Sequence, residues 1–243
     1  MTQTDIIRPD GRTAAATREV RFDRSFPSQA PGKVLACFGE TQVLCTASFQ
    51  ETTPKWMKGR GTGWLTAEYG MLPGSTDRRK PRDRGGKTDG RSVEIQRLIG
   101  RSLRAAMDFD LLGERTIWVD CDVLKADGGT RTAAISGAYV AVYDCLVQMG
   151  EKRLLRTFPM TTQLGAVSVG VVDGEVVCDL CYAEDSQADV DMNLVMTGEG
   201  EFIEVQGSAE GATFSRAQLD AMLEIGEAGI RHIFDVQREA LGG

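Results

Sequence analysis

Hydrophobic and polar residues alternate in the early part of the chain. Val34, Ala36 and Phe38 form one such run, and Val43, Cys45 and Ala47 form another. This period of two marks strands with one buried face. Gly39-Glu40 between them predicts a hairpin, and Gly63 to Gly70 (GWLTAEYG) predicts a further extended segment. The period then changes. Ile95, Leu98, Ile99, Leu103 and Ala106 recur at spacings of three and four, with Glu94, Gln96, Arg97 and Arg101 off the stripe, which predicts an amphipathic helix. A strand from Thr116 to Leu124 follows, Asp127-Gly128-Gly129 breaks it, and a helix is expected from Thr132 to Met149.

The later part repeats this layout. Strands Ala166 to Val172 and Val176 to Tyr182 join through Asp173-Gly174, and strands Met192 to Met196 and Phe202 to Val205 through Gly198-Glu199-Gly200. A last helix begins at Ser215, where Gln218 three residues on completes a capping box. Its apolar face carries Leu219, Met222, Leu223, Ile230 and Ile233. The order predicts an α+β layered domain spanning residues 1–243, in two related halves of about 1–150 and 151–243. Between the third strand and the first helix, Leu72 to Gly90 is rich in Pro, Gly and charge and has no periodicity, as expected of a long functional loop.

Composition narrows the setting. A length of 243 residues, 42% of them hydrophobic, is enough for a sizeable core. The start, Met1-Thr-Gln-Thr-Asp5, lacks the basic and apolar regions of a secretory signal, and no uncharged apolar run reaches the ~18 residues of a membrane span. A cytoplasmic protein is expected. Five of the six cysteines lie in apolar stretches, as core thiols do. Cys178 and Cys181 form a C-x-x-C on an expected strand, which would turn them to opposite faces and disfavour a redox or zinc site. The net charge of −7 argues against nucleic acid, but its distribution does not. Arg78 to Arg91 holds seven basic residues against Asp83 and Asp89, a local net of +5, which leaves −12 elsewhere. Such a segment is either a phosphate contact or a solvated charged loop.

His232 is the only histidine and lies inside the last helix without a catalytic partner nearby, so the chemistry is expected to run on carboxylates and arginines. Gly86-Lys87-Thr88 looks like the end of a P-loop, but Pro81 stands where that motif requires glycine. The stronger anion site is Gly128-Gly129-Thr130-Arg131, which follows a buried strand and opens a helix. Free amides of a first helical turn, a hydroxyl and a planar guanidinium suit phosphate oxygens, although the same turn also serves as a plain strand-to-helix connection. Arg91 opens the other helix. If the two helix starts converge, they clamp a small tetrahedral anion. Asp185 and Asp191 flank the acidic loop Glu184 to Asp191. This is either a solvated loop or a pair of hard oxygen ligands for Mg²⁺ or Mn²⁺. A phosphate clamp beside a metal-linked carboxylate pair points to phosphoryl transfer.

Several long stretches then match one family in order: Arg8-Pro-Asp-Gly-Arg12, Phe38 to Ser48, Gly63 to Pro73, Glu94 to Ile99, Asp120 to Ala133, Glu184-Asp-Ser186 with Asp191-Met-Asn193, and Glu204-Val-Gln-Gly207. Nearly the whole chain resembles the ribonuclease PH family of phosphorolytic 3′→5′ exoribonucleases. The resemblance implies a two-halved βαβ fold shared with a ribosomal protein domain, assembled as a ring-shaped homohexamer of three dimers. It implies attack by inorganic phosphate on the 3′ terminus of transfer RNA precursors, with release of nucleoside diphosphates. Family phosphate ligands fall on Arg91, Gly129, Thr130 and Arg131, and metal-linked aspartates on Asp185 and Asp191. RNA-holding arginines fall on Arg79 and Arg82, whereas Gly74 stands where some relatives have arginine. Two other classes compete. A non-catalytic ring subunit that only holds RNA would be expected to lose the Gly-Thr-Arg turn or the aspartate pair, and a small-molecule phosphotransferase would need the triphosphate loop that Pro81 rules out.

Overall fold

A computed structural model describes residues 8–82, 89–209 and 211–243. Arg84, Lys87 and the P-loop-like Gly86-Lys87-Thr88 lie outside the described residues, as does the start of the chain. The first sheet contains β1 (Val20–Asp23), β2 (Gly32–Phe38), β3 (Thr41–Gln50), β4 (Trp64–Met71) and β5 (Thr116–Lys125), in the order β1-β2-β3-β5-β4. The expected hairpin joins β2 to β3, with Phe38 opposite Thr41. Between β4 and β5, which pair in parallel, the chain crosses over through α1 (Gly90–Ala105) and the short α2 (Phe109–Leu112). This is the one parallel pair among the described strands. It needs a helical crossover because a tight turn cannot join parallel strands.

α3 (Thr130–Glu151) then packs against β2, β3 and β5 on one side and β6 and β8 on the other. It begins two residues before the sequence expectation and ends two after it, because Thr130 and Arg131 already belong to its first turn. Burial runs around its circumference rather than along one stripe, the pattern of a helix enclosed between layers. The second sheet holds β6 (Leu164–Val172), β7 (Glu175–Cys178), β8 (Val190–Thr197) and β9 (Phe202–Ala209), antiparallel throughout, in the order β7-β6-β8-β9. α4 (Tyr182–Asp185) precedes β8, and α5 (Arg216–Leu241) covers β6 and β7 behind the expected Ser215–Gln218 capping box.

One expected element is shorter. The strand to Tyr182 stops at Cys178 because Asp179 takes a left-handed φ of 54°, and the chain turns into α4. The two cysteines are therefore separated by a turn rather than by strand alternation. All six cysteines are free and buried. β1 has too short a run of alternation to predict from sequence, and it is held by its pairing with β2. No described helix is long and apolar enough to cross a membrane.

Candidate active site

One face of the second sheet, the starts of α1 and α3 and the end of α4 enclose a polar cavity of about 260 Å³. The start of α1 contributes Arg91. The start of α3 contributes Gly129, Thr130 and Arg131, and the end of α4 and the loop after it contribute Asp185, Ser186 and Ala188. β6, β8 and β9 add Ser168, Asp191, Asn193 and Ser208. Register explains the last group. Ser168 lies opposite Asn193, and Asp191 lies opposite Ser208, so neighbouring strands turn these polar side chains to one face. Their alternate neighbours Met192 and Leu194 go into the core.

Each helix start is built differently. At α1, the Asp89 side chain caps the helix by accepting from the Arg91 amide. Lys80 donates to the same carboxylate at 3.0 Å, and these contacts hold the Asp89 carboxyl below its usual range. At α3 the cap is Gly129, which carries no side-chain cap. Gly128 and Gly129 both have left-handed φ, 72° and 62°. A Cβ on Gly128 would stand 2.6 Å from the Leu180 carbonyl oxygen, so only glycine lets this turn lie against the segment leading to α4. Thr130 accepts a 2.9 Å hydrogen bond from the buried Tyr69 hydroxyl. Burial pushes the Tyr69 phenol up, so it stays a proton donor. Arg131 donates to Gln206 at 3.1 Å and lies 3.6 Å from Glu94, which ties α3 to β9 and α1.

The acidic loop has a buried anchor that sequence reading missed. Glu184 is not solvated; it pairs with Arg8 through two hydrogen bonds of 2.6 and 2.7 Å, and both side chains are buried. Burial would raise the Glu184 carboxyl, but Arg8 and the Cys181 amide outweigh it and hold the value down. Arg18 and Asp179 form a second buried pair at 2.7 Å. Nothing local in the sequence signals these pairs, because the partners lie 176 and 161 positions apart. Arg79 and Arg82 are exposed on the segment before α1, and neither lines the cavity. His232 is exposed on α5, also away from it.

The residues present fit a divalent cation of modest protein coordination. Asp185 and Asp191 offer two carboxylates in one cavity, with neutral oxygens on Ser168 and Asn193. Among the described residues no group of three or more His, Cys, Asp or Glu is placed to hold a metal. Mg²⁺ commonly takes only one or two protein carboxylates and completes its shell with water and phosphate oxygens.

Residues 16–148 match the model for domain 1 of the 3′ exoribonuclease family, and residues 162–229 match that for domain 2. The chain is 58% identical over 237 residues to Ribonuclease PH of Synechococcus sp. strain JA-2-3B'a(2-13), covering 96% of this chain and 97% of that one. The corresponding protein of strain JA-3-3Ab is 56% identical, covering 96% and 98%. In fold, the chain resembles the Archaeoglobus fulgidus exosome with RNA bound to the active site, with a TM-score of 0.79 at 21% identity over 94% of this chain and 91% of that one. It also resembles rice (Oryza sativa) Rrp46, with a TM-score of 0.77 at 21% identity over 96% and 100%. The chain therefore belongs to the 3′ exoribonuclease family, in its ribonuclease PH branch.

Proposed function

We propose that this cavity is where a phosphate-dependent 3′→5′ exoribonuclease trims the ends of transfer RNA precursors. The observation that carries the reading is the meeting of two arginines, an uncapped helix start and two carboxylates in one polar cavity. Phosphate is the co-substrate of this branch. Arg91, Arg131 and the amides and hydroxyl of Gly129-Thr130 hold it beside the last internucleotide bond, since a helix start and planar guanidinium groups together favour a tetrahedral anion. Holding nucleophile and electrophile in line and neutralising the developing charge together supply most of the acceleration in such a reaction. A phosphate oxygen attacks the terminal phosphorus, the 3′ oxygen of the shortened RNA leaves, and the terminal nucleotide departs as a nucleoside diphosphate. Asp185 and Asp191 would hold a divalent ion, Mg²⁺ or Mn²⁺, whose chemistry when bound is to offset charge on the scissile phosphate and leaving oxygen. Arg79 and Arg82, exposed before α1, would hold the RNA strand by its phosphates.

We read residues 1–243 as one catalytic domain of two related halves, acting in the cytosol as a homohexameric ring of three dimers. The exosome neighbours and the exposed Phe202 and Val205 on edge strand β9 support association, because exposed apolar patches are common contact sites. The six free thiols suit a reducing compartment. The non-catalytic alternative has less support, because the Gly-Thr-Arg turn and the aspartate pair are both present and share the cavity. The test is to incubate a 3′-labelled transfer RNA precursor with and without phosphate. Nucleoside diphosphates appearing only with phosphate are expected; monophosphates, or release independent of phosphate, would refute the reading.

A further inference from the structure

Against the cavity-lining residues Gly129 and Ser168, the buried pair of Arg18 and Asp179 joins two segments that the phosphate reading does not itself connect. Asp179 is fully buried, with a left-handed φ of 54°. Its carboxylate accepts from the Arg18 amide at 2.8 Å, from Arg18 Nε at 2.9 Å and from Nη2 at 2.7 Å. The remaining arm of the Arg18 guanidinium, Nη1, donates to the carbonyl oxygen of Asp127, the residue that begins the Gly128-Gly129 turn. A Cβ on Gly129 would lie 2.9 Å from Arg18 Nη2, so the guanidinium stands directly behind the uncapped start of α3. Asp179 in turn donates its amide to the Ser168 carbonyl oxygen at 2.6 Å, and the next amide, of Leu180, donates to the Ser168 hydroxyl. Tyr182, at the start of α4, donates its amide to the Asp127 carboxylate at 3.2 Å.

One side chain thus bridges the turn at the start of α3 and the segment leading to Asp185. Arginine suits this bridge, since its planar fork can meet a carboxylate and a carbonyl oxygen together, whereas lysine presents a single point charge. We propose that Arg18, locked on Asp179, is a positioning residue of the reaction: it sets the distance between the Gly129–Arg131 turn and the Asp185 carboxylate. Displacement of a catalytic group by about 1 Å costs on the order of 10²-fold in rate. The inference rests on the phosphate-site reading under Proposed function.

The test uses Arg18→Lys and Asp179→Asn in the full chain. Asparagine tolerates the left-handed backbone at position 179, so Asp179→Asn removes the charge and misplaces the guanidinium without demanding a new turn. Each variant is compared with the native protein in melting temperature, RNA affinity without phosphate, KM for phosphate and kcat. The expected result is RNA affinity within about two-fold of native, KM for phosphate raised about ten-fold and kcat lowered about 10- to 100-fold. Folded variants with native phosphate KM and kcat would overturn the assignment. So would equal loss of RNA and phosphate binding. Failure of both variants to fold would also overturn it, since the pair would then serve the fold rather than the site. Arg131→Ala, measured beside them, separates the two readings. If it leaves phosphate dependence native, the phosphate site itself is wrong; if it abolishes that dependence while the Arg18 and Asp179 variants stay native, only the positioning role fails.

Discussion

The starts of α1 and α3 face the same cavity but are finished in opposite ways. α1 is closed by its own chemistry: Asp89 accepts from the first turn and is itself held by Lys80. α3 is left open, with Gly129 as an N-cap that offers no side chain. The first amides of a helix have no intrahelical partner, so a capped start uses them internally and an uncapped one keeps them for a ligand. α1 therefore brings chiefly the Arg91 side chain to the cavity, whereas α3 brings its backbone as well. Under the proposed reading both ends meet the anion, α1 through Arg91 alone and α3 through its backbone as well, while only α1 gains stability from a side-chain cap; each contribution can be broken separately.

The largest effect is expected on the open side. Arg131→Ala removes the guanidinium that joins α3 to Gln206 and Glu94, and kcat/KM for phosphorolysis should fall by about 10³-fold with the fold intact by circular dichroism. Near-native turnover at low phosphate would overturn the role given to Arg131. On the carboxylate side, Asp185→Asn should lower kcat by about 10²-fold while RNA affinity in a filter-binding assay changes little. Equal loss of both would make Asp185 structural.

Much of this site was legible in the chain. Gly128 to Arg131 and Arg91 announce themselves because a helix start has a local signature, a breaker followed by periodic apolar residues. Asp185 and Asp191 show as a dense acidic cluster between two strands. What stayed hidden is how the acidic cluster is held. Glu184 reads only as one carboxylate of an acidic loop, solvated or cation-binding, until Arg8 is found against it, and Asp179 reads as strand until its φ turns positive. Both depend on partners far away in the chain, and hydrophobic periodicity carries no information about which buried charges meet. Lys80 is the reverse case: within a basic run that reads as either a phosphate contact or a solvated loop, it is engaged by Asp89.

A middle-sized effect should come from closing the open end sterically. Gly129→Ala places a methyl group on a left-handed residue, at a cost of about 1–2 kcal/mol, and 2.9 Å from the Arg18 guanidinium. KM for phosphate should rise roughly ten-fold, because the turn shifts relative to Asp185. Steady-state kinetics with phosphate varied at saturating RNA reads this directly. An unchanged KM would show that the backbone of this turn does not touch the anion.

The smallest effect belongs to the capped end. Asp89→Ala leaves the first amides of α1 to water and should cost about 1 kcal/mol, lowering the melting temperature by about 2–4 °C for a chain of this size. Activity at neutral pH should stay within about two-fold of native, since Arg91 reaches the cavity by its side chain. The pH dependence follows in sign from the same contacts. Hydrogen bonding to Lys80, then to the Arg91 amide, depresses the folded-state value of the Asp89 carboxyl below its ordinary 3.8. Its stabilisation is therefore complete above that ordinary value and is lost as pH falls through the lower folded one. The native protein and Asp89→Ala should differ in melting temperature at neutral pH and converge in strong acid. If Asp89→Ala instead raised the phosphate KM as much as Gly129→Ala does, the backbones of the two helix starts would share one role, and the division between a capped and an open start would be wrong.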